Sequence, residues 1–247
     1  MKLGIMQPYF FPYVGYFDLI NRVDRWVVFD TAQYIRHGWV NRNRILHPTT
    51  GWQYVIVPLA KHERDTPISQ VQTAKRDQWA PRILGQIMHY KKRAPYFRQT
   101  FQFVEDCLQG EECNLARLNA GILAKTCAFI GIPFNSSMFS EMNLTLDSVL
   151  GPGDWALRIS EAMAAAEYIN PPGGAELFDS ARFAASGVKL TLQEPVEFTY
   201  ACPGYTFEPA LSIIDVLMWV SPKDIKQRLD CLKGGVVPGS SDIAAVL

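Results

Sequence analysis

The chain has 247 residues, of which 48% are hydrophobic and 19% are charged, a balance that supports a sizeable folded core and excludes a disordered chain. No apolar run reaches the roughly 18 residues that a membrane span requires, and the start MKLGIMQP lacks the apolar stretch of a signal peptide. We therefore expect a cytoplasmic protein without a membrane span.

The cysteine pattern and the charge distribution indicate which metal sites, disulfides and binding partners the chain can have. The five cysteines form no CxxC pair, so neither a disulfide framework nor a zinc site is indicated. Residues 1–100 hold 15 Lys and Arg against 6 Asp and Glu, whereas residues 101–247 hold 9 against 18. This asymmetry favours either an anion bound by the first part of the chain or attraction between the two halves. The first 100 residues show no recognisable RNA- or DNA-binding signature, so nucleic acid is not an expected partner.

The N-terminal part of the chain predicts a β-α-β unit. Residues 2–6 and 26–30 are typical of short buried strands, and residues 15–23 between them carry apolar side chains at helical spacing. A unit of this length favours a parallel strand pair. A further strand is predicted at residues 53–58, and the long polar segment 31–51 before it is predicted to be functional.

Helices dominate the middle of the chain, after which strands and helices alternate again. Three helices are predicted at residues 78–91, 96–109 and 114–131. The later predicted elements are a helix at 154–166 with Asp154 as its N-cap, strands at 168–169 and 188–193, and helices at about 211–219 and 222–232. The simplest organisation is one α/β domain over residues 1–247, with a mostly parallel Rossmann-like sheet, helices on both faces, and a helical segment at about 78–131 inserted between two α/β parts.

The segment MQPYFFPYVGYF, residues 6–17, is the first candidate for a binding site. It leaves the first strand at its carboxyl end, where open parallel sheets bind ligands. Gly15 begins the following helix, whose free N–H groups favour an anion such as phosphate. Phe11 and Phe17 are predicted to belong to the core. The residues predicted to bind substrate or move a proton here are Gln7, Pro8, Tyr13, Gly15 and Tyr16.

A second candidate cluster lies within the polar segment. Arg42 and Arg44 share a face if the chain is extended there, and paired guanidinium groups suit the oxygen atoms of phosphate or carboxylate. The alternative is a solvated basic loop that forms salt bridges with the acidic half. The other candidates of this segment are Gln33, Asn41 and Asn43 for binding, and Tyr34 and His37 for proton transfer.

Four further positions each leave alternatives open. Asp30 ends the second strand, where a carboxylate serves as a base, as a ribose or metal contact, or as a charge partner for an arginine. Lys61 is either a phosphate ligand or a solvated lysine. Asp215 is a lone acid among apolar residues, and it is either a structural cap or a site residue because buried carboxylates need partners. The turn at residues 170–174 either cradles a ligand by its backbone or only reverses the chain.

Four motifs together resemble the WbqC-like family: MQPYFFPYVGYFDLI, WVVFDTAQYIRHGWVNRNRI, HYKKRAPYF and LSIIDVL. The resemblance covers nearly the whole chain and is strongest over residues 1–60. Members of the family are found with genes for bacterial O-antigen and other surface polysaccharides. The resemblance implies a role in lipopolysaccharide or related conjugate biosynthesis. Together with the candidate residues above, this context leads to the hypothesis of an enzyme that binds an anionic nucleotide- or phosphate-bearing substrate, such as a nucleotide sugar, and transfers an acyl or aminoacyl group to an amino sugar. The resemblance identifies no cofactor and no oligomeric state.

A fainter resemblance links the first loop to nucleotidylyltransferases. Residues 13–16 (YVGY) stand where those enzymes carry the HxGH motif, whose histidines steady a triphosphate, and both histidines are tyrosine here. This resemblance implies the alternative function, a non-catalytic nucleotide or nucleotide-sugar binding protein with a degenerate nucleotidyltransferase-like site. In the enzyme hypothesis, Tyr13, Tyr34 or His37 handles protons.

Overall fold

The structure is a computed structural model that describes residues 1–173 and 175–233. Its strands are β1 (Lys2–Met6), β2 (Arg25–Val28), β3 (Arg42–Leu46), β4 (Trp52–Ile56), β5 (Ser136–Met138), β6 (Glu167–Asn170) and β7 (Lys189–Leu192). Its α-helices are α1 (Val14–Arg22), α2 (Arg76–Ile87), α3 (Phe97–Leu108), α4 (Leu115–Ile130), α5 (Asp154–Ala162), α6 (Ser180–Ala185), α7 (Ile213–Trp219) and α8 (Pro222–Lys233). Short 3₁₀ turns lie at Ile68–Gln70, Met88–Lys92, Phe139–Glu141 and Ala175–Leu177.

Five strands form the central sheet in the order β5-β2-β1-β6-β7, and each neighbouring pair is parallel. The pairing of β1 with β2 runs from Leu3 opposite Arg25 to Met6 opposite Val28, so the predicted β-α-β unit is confirmed. The predicted class, an α/β fold with a Rossmann-like parallel sheet, is confirmed as well.

Side chains alternate between the two faces of the sheet, and each face carries its own core. Trp26 and Val28 of β2 pack with residues of α1, α4, α7 and α8, whereas Val27 between them packs with residues of α5 and α6. This period of two is the geometry of an extended strand. Helices therefore cover both faces, as predicted. Phe11 and Phe17 are fully buried, which confirms their assignment to the core.

The segment predicted as a polar excursion contains a strand. Strand β3 pairs antiparallel with β4, and the two form a separate two-stranded sheet beside the central one. The strand predicted at residues 53–58 therefore exists as Trp52–Ile56, but it does not belong to the main sheet. Local pattern indicates that a segment is extended and leaves its partner strand undetermined.

The three helices predicted for the middle of the chain are present as α2, α3 and α4. Helix α4 begins after Asn114, whose side chain accepts a hydrogen bond from the backbone N–H of Arg117, and ends at Gly131, whose φ of 88° favours glycine. Asp154 was predicted as the N-cap of α5, but it is the first helical residue and Gly153 precedes it. Within the described residues, no helix is long and apolar enough to cross a bilayer. The division into one domain with an inserted helical segment remains a prediction.

Candidate functional site

A cavity of about 600 Å³ opens at the carboxyl ends of β1, β2 and β6. Gln7 follows β1, Phe29 follows β2, and Asn170 ends β6, so each of these strands contributes a residue to its wall. Strand β1 pairs with β2 on one side and with β6 on the other. The chain adds β2 and β5 to one side of β1 and then adds β6 and β7 to the other side, so the strand order reverses at β1. Ligands of open α/β sheets bind at such a reversal, and the volume suits a small molecule. We call this cavity the switch-point pocket.

Segments distant in the sequence complete the walls of the switch-point pocket. Tyr9 and Tyr13 come from the loop after β1, Trp39 and Arg44 from β3 and the residues before it, and Ala210 from the chain before α7. The walls are therefore rich in aromatic rings and carry few polar groups, as is common for ligand pockets.

The loop after β1 is held in place by buried hydrogen bonds. The Asn43 amide donates to the carbonyl oxygens of Phe10 at 3.1 Å and Phe11 at 2.9 Å, and the Ser212 hydroxyl donates to the Phe11 carbonyl at 2.7 Å. Phe11 has a φ of 40°, which is unfavourable for a bulky residue and persists only where the surroundings determine it. The loop is thus anchored from below while its tyrosines face the pocket.

Gly15 shapes the pocket without lining it. A Cβ atom at this position would lie 2.4 Å from the ring of Tyr13, so the missing side chain allows that ring to lie over the start of α1. Tyr16 was predicted to place its hydroxyl at the pocket, but it is buried and donates to the backbone carbonyl of Gln7 at 2.7 Å. Gly15 and Tyr16 therefore support the pocket from beneath.

The polar side chains of the pocket fall into two groups. Asn43 has the partners described above, and Asn170 donates to the carbonyl oxygen of Pro171 at 2.8 Å and accepts from the hydroxyl of Tyr168 at 2.7 Å. The side chains of Gln7, Tyr9 and Tyr13 line the cavity and have no hydrogen-bond partner among the described residues. These three uncharged groups are available to a ligand.

Arg44 is the only charged side chain among the described residues of the pocket wall. Its guanidinium carbon lies 5.4 Å from the ring centre of Trp39 and 5.1 Å from that of Trp52. It forms no salt bridge with any described carboxylate, and its buried Nε atom has no hydrogen-bond partner. Its Nη2 atom donates a long hydrogen bond to the carbonyl oxygen of Ala210 at 3.4 Å. Aromatic faces attract a guanidinium without using its remaining N–H groups, which an anion can accept from.

Burial raises the pKa of Tyr13 and of Tyr9 above 10.0. The neighbouring tyrosine raises the pKa of Tyr9 further, and the Asp18 carboxylate does the same for Tyr13. Both hydroxyls are therefore protonated at neutral pH and act as hydrogen-bond donors. Among the described residues, no group of three His, Cys, Asp or Glu side chains is placed to hold a metal ion.

Several predicted site residues lie outside the pocket and have other partners. Arg42 lies over the ring of Tyr54, 4.1 Å from its centre, and donates to the backbone carbonyl of His37, which is exposed with a φ of 64°. Tyr34 donates to the side chain of Asn41 at 2.8 Å, and Asn41 donates to the carbonyl of Val57 at 2.9 Å. These contacts fix the chain on either side of β3.

The remaining candidates are also engaged elsewhere or exposed. The buried Asp30 carboxylate accepts from the backbone N–H of Ser140 at 2.9 Å and from its hydroxyl at 2.6 Å, so it caps a 3₁₀ turn. Gln33 bonds to the carbonyl of Arg64, and Lys61 is exposed. Pro8 is buried, and its carbonyl accepts from Asn119.

The pocket thus brings together four of the predicted residues, Gln7, Tyr13, Asn43 and Arg44. Their roles in binding and proton transfer remain predictions. Sequence reasoning missed Trp39 and Ala210 as wall residues; the position of Trp39 among basic and aromatic residues was a signal, whereas Ala210 offered none. The turn after β6 does reach the pocket through residues 171–173, and Gly174 lies outside the described residues.

Asp215 proves to be a structural residue. It is fully buried and accepts hydrogen bonds from the hydroxyls of Tyr90 and Tyr200 and from the backbone N–H of Leu46. Burial raises the pKa of this carboxyl, and the hydrogen bonds oppose that shift. These hydrogen bonds connect α7 to β3. The chain segment that contains the wall residue Ala210 leads into α7.

Comparison with known proteins agrees with the motifs. The model of the WbqC-like protein family matches residues 7–227. The chain belongs to the WbqC-like protein family. A protein of Mycobacterium tuberculosis named "Uncharacterized protein Rv1507c" is 27% identical over 225 residues, which cover 87% of this chain and 92% of that protein. No solved structure gives a significant match. The family match covers all pocket walls except those formed by β1.

Proposed function

We propose that this WbqC-like protein is an enzyme of bacterial surface-polysaccharide or related conjugate biosynthesis, and that it binds a nucleotide- or phosphate-linked sugar in the switch-point pocket. The observation that carries the proposal is the position of the Arg44 guanidinium and its lack of a described carboxylate partner. A guanidinium that has no carboxylate partner among the described residues is held between Trp39 and Trp52 at the wall of an aromatic cavity. Such a group suits phosphate oxygens, which it binds in a bidentate way.

The other available groups complement such a ligand. Aromatic walls at Tyr9, Phe29 and Trp39 offer flat apolar surface to a base or to a sugar ring. The Gln7 amide can both donate and accept, and the Tyr13 hydroxyl donates, so both can bind hydroxyl groups of a sugar. These groups provide affinity and orientation.

The proposed reaction is transfer of an acyl or aminoacyl group to the nitrogen of an amino sugar. A C–N bond forms between the amine nitrogen and the carbonyl carbon of an activated donor such as a thioester, the bond from that carbon to the thiol leaving group breaks, and the amine proton passes to the leaving group. Positioning of the amine, with the phosphate of its carrier held by Arg44, and stabilisation of the carbonyl oxygen by the Gln7 amide are the contributions this pocket offers. The protonated Tyr13 hydroxyl would relay a proton.

A specific observation favours the non-catalytic alternative as a second candidate. No carboxylate, histidine or cysteine is among the described residues that line the pocket, and Asp30, Tyr34 and His37 lie elsewhere. A protein that only binds a nucleotide sugar and presents it to a partner enzyme needs no such group.

The test of ligand binding compares Arg44→Met with Arg42→Met, since the two arginines lie on the same face of β3 and only Arg44 lines the pocket. Titration calorimetry with a nucleotide-linked amino sugar should show a loss of about 10- to 100-fold for Arg44→Met, the range for a hydrogen bond to a charged group. Arg42→Met should bind as the natural protein does. Equal affinity in all three proteins would exclude the proposed site.

Turnover then distinguishes the enzyme from the binding protein. The purified protein is mixed with the nucleotide-linked amino sugar and an acyl thioester, and the products are analysed by mass spectrometry. An N-acylated sugar that forms only with protein present supports the transferase. Stoichiometric binding without product supports the binding protein.

A further inference from the structure

The outer face of the β3–β4 hairpin carries a row of alternating rings and guanidinium groups. We call it the hairpin platform; its members are Trp39, Arg42, Arg44, Trp52 and Tyr54. Arg42 lies over Tyr54, Arg44 lies between Trp39 and Trp52, and the rings of Trp52 and Tyr54 meet edge to face with centres 4.9 Å apart. Each member contacts the next, so the platform is one continuous surface.

Strand register explains why these side chains share a face. Arg44 pairs with Tyr54 and Arg42 pairs with Ile56, while Asn43 pairs with Val55 on the buried face. The outer face stays open: Trp52 is 39% exposed, Ile56 42% and Trp39 37%. Contiguous exposed aromatic surface of this kind marks a binding surface.

Charge indicates what the platform would bind. Neither Arg42 nor Arg44 forms a salt bridge with a described carboxylate, and the buried Nε atom of each has no hydrogen-bond partner. Their guanidinium groups contact ring faces and backbone carbonyl oxygens. The surface is therefore aromatic and cationic, and no described carboxylate serves as its counter-ion.

The platform is continuous with the switch-point pocket, because Trp39 and Arg44 belong to both. A ligand too long for the cavity would leave it over Trp39 and Arg44 and reach Trp52 and Arg42. We propose that the hairpin platform is a second subsite, and that it binds further sugar residues of an acidic saccharide. This inference rests on the proposed function and adds the substrate class: an acidic oligosaccharide in place of a single sugar.

An acidic saccharide matches both features of the surface. The C–H face of a pyranose ring is flat and apolar and can cover the exposed ring of Trp52, since aromatic faces bury large apolar areas. A carboxylate or phosphate on the same sugar would be attracted by the charge of the Arg42 guanidinium, which no described carboxylate neutralises. Stacking provides affinity for any sugar, whereas the arginine selects the acidic one.

The test uses trigalacturonic acid as the acidic probe, maltotriose as its neutral counterpart, and a nucleotide-linked amino sugar as the pocket probe. Trp52→Ala and Arg42→Met should each weaken binding of trigalacturonic acid about tenfold or more. Arg42→Met should leave binding of the nucleotide-linked sugar within about twofold, because Arg42 does not line the pocket. Trp52→Tyr should retain most of the affinity, because it keeps an aromatic face. Met88→Ala is the matched control, since Met88 is 41% exposed and lies outside the platform.

The binding measurements distinguish a subsite for acidic saccharides from its alternatives. The natural protein should prefer trigalacturonic acid to maltotriose, and Arg42→Met should remove that preference. Equal binding of the two trisaccharides, no effect of Trp52→Ala, or tighter binding of a single-stranded RNA octamer through the same residues would overturn the subsite. If trigalacturonic acid binds the platform and the nucleotide-linked sugar does not bind at all, the proposed function fails while the saccharide surface stands.

Discussion

The most demanding prediction concerns Asn43, which connects the hairpin to the loop that carries the pocket tyrosines. Its amide donates to the carbonyls of Phe10 and Phe11, and its oxygen accepts from the backbone N–H of Arg44 at 2.8 Å. In Asn43→Ala the Phe11 carbonyl keeps its bond from Ser212, so two groups lose these partners. At ~1–3 kcal/mol for each unsatisfied buried group, the free energy of unfolding should fall by about 2–6 kcal/mol.

Urea unfolding followed by tryptophan fluorescence measures this change, and calorimetry with the nucleotide-linked sugar measures the effect on the pocket. Asn41→Ala is the matched control because Asn41 is also a buried asparagine of the hairpin region but bonds to Tyr34 and Val57 away from the pocket. Both variants should be destabilised, and only Asn43→Ala should lose affinity. An Asn43→Ala protein within about 0.5 kcal/mol of the natural one would refute the hydrogen-bond assignment. Equal losses of affinity in both variants would refute the specific link between Asn43 and the pocket.

Two further predictions concern stability. Gly15→Ala should lower the free energy of unfolding by no more than about 1 kcal/mol, because the new Cβ would lie 2.4 Å from the far end of the Tyr13 side chain, which can shift into the pocket. Gly121→Ala, with no atom within 4 Å of its Cβ in helix α4, should raise it by about 0.5–1 kcal/mol, and a shared sign would contradict the assignment. Burial lowers the pKa of His89 from 6.5 to about 4, so the unfolded chain binds a proton at higher pH than the folded protein does. The contribution of His89 to the free energy of unfolding should therefore be fully present above pH 6.5 and should decline as the pH falls towards 4. Urea midpoints measured across this range should decline less in His89→Phe than in the natural protein. Parallel profiles of the two proteins would contradict the assignment.

The sequence predicted correctly those elements and buried residues that depend on the local pattern of apolar side chains. The strands β1 and β2 with α1 between them were predictable, because hydrophobic runs and helical spacing are properties of neighbouring residues. The burial of Phe11 and Phe17 followed from the same pattern. Gln7 was placed correctly at the carboxyl end of β1, which borders the switch-point pocket, because it directly follows a strand whose direction was known.

Polar residues were harder to assign, because their partners are distant in the chain. Asp30 was a candidate base, yet its partner Ser140 is 110 residues away. Asn41 was a candidate for substrate binding and Tyr34 for proton transfer, yet the Tyr34 hydroxyl donates to the Asn41 side chain. A polar side chain that is buried requires a hydrogen-bond partner, but the sequence does not show where that partner lies. Only the fold determines whether the partner belongs to the protein or to a ligand.

By itself, the sequence determined the class of fold, the order of most elements and the family, since these depend on periodicity and on motifs along one chain. Tertiary structure decided that β3 and β4 form a hairpin outside the central sheet, and that Ala210 reaches the same cavity as Gln7. It also separated Arg44, at the pocket wall, from Arg42, which lies over Tyr54 two residues earlier on the same strand. The physical reason is that long-range contacts, set by how layers pack, decide which of two chemically equal side chains faces a cavity.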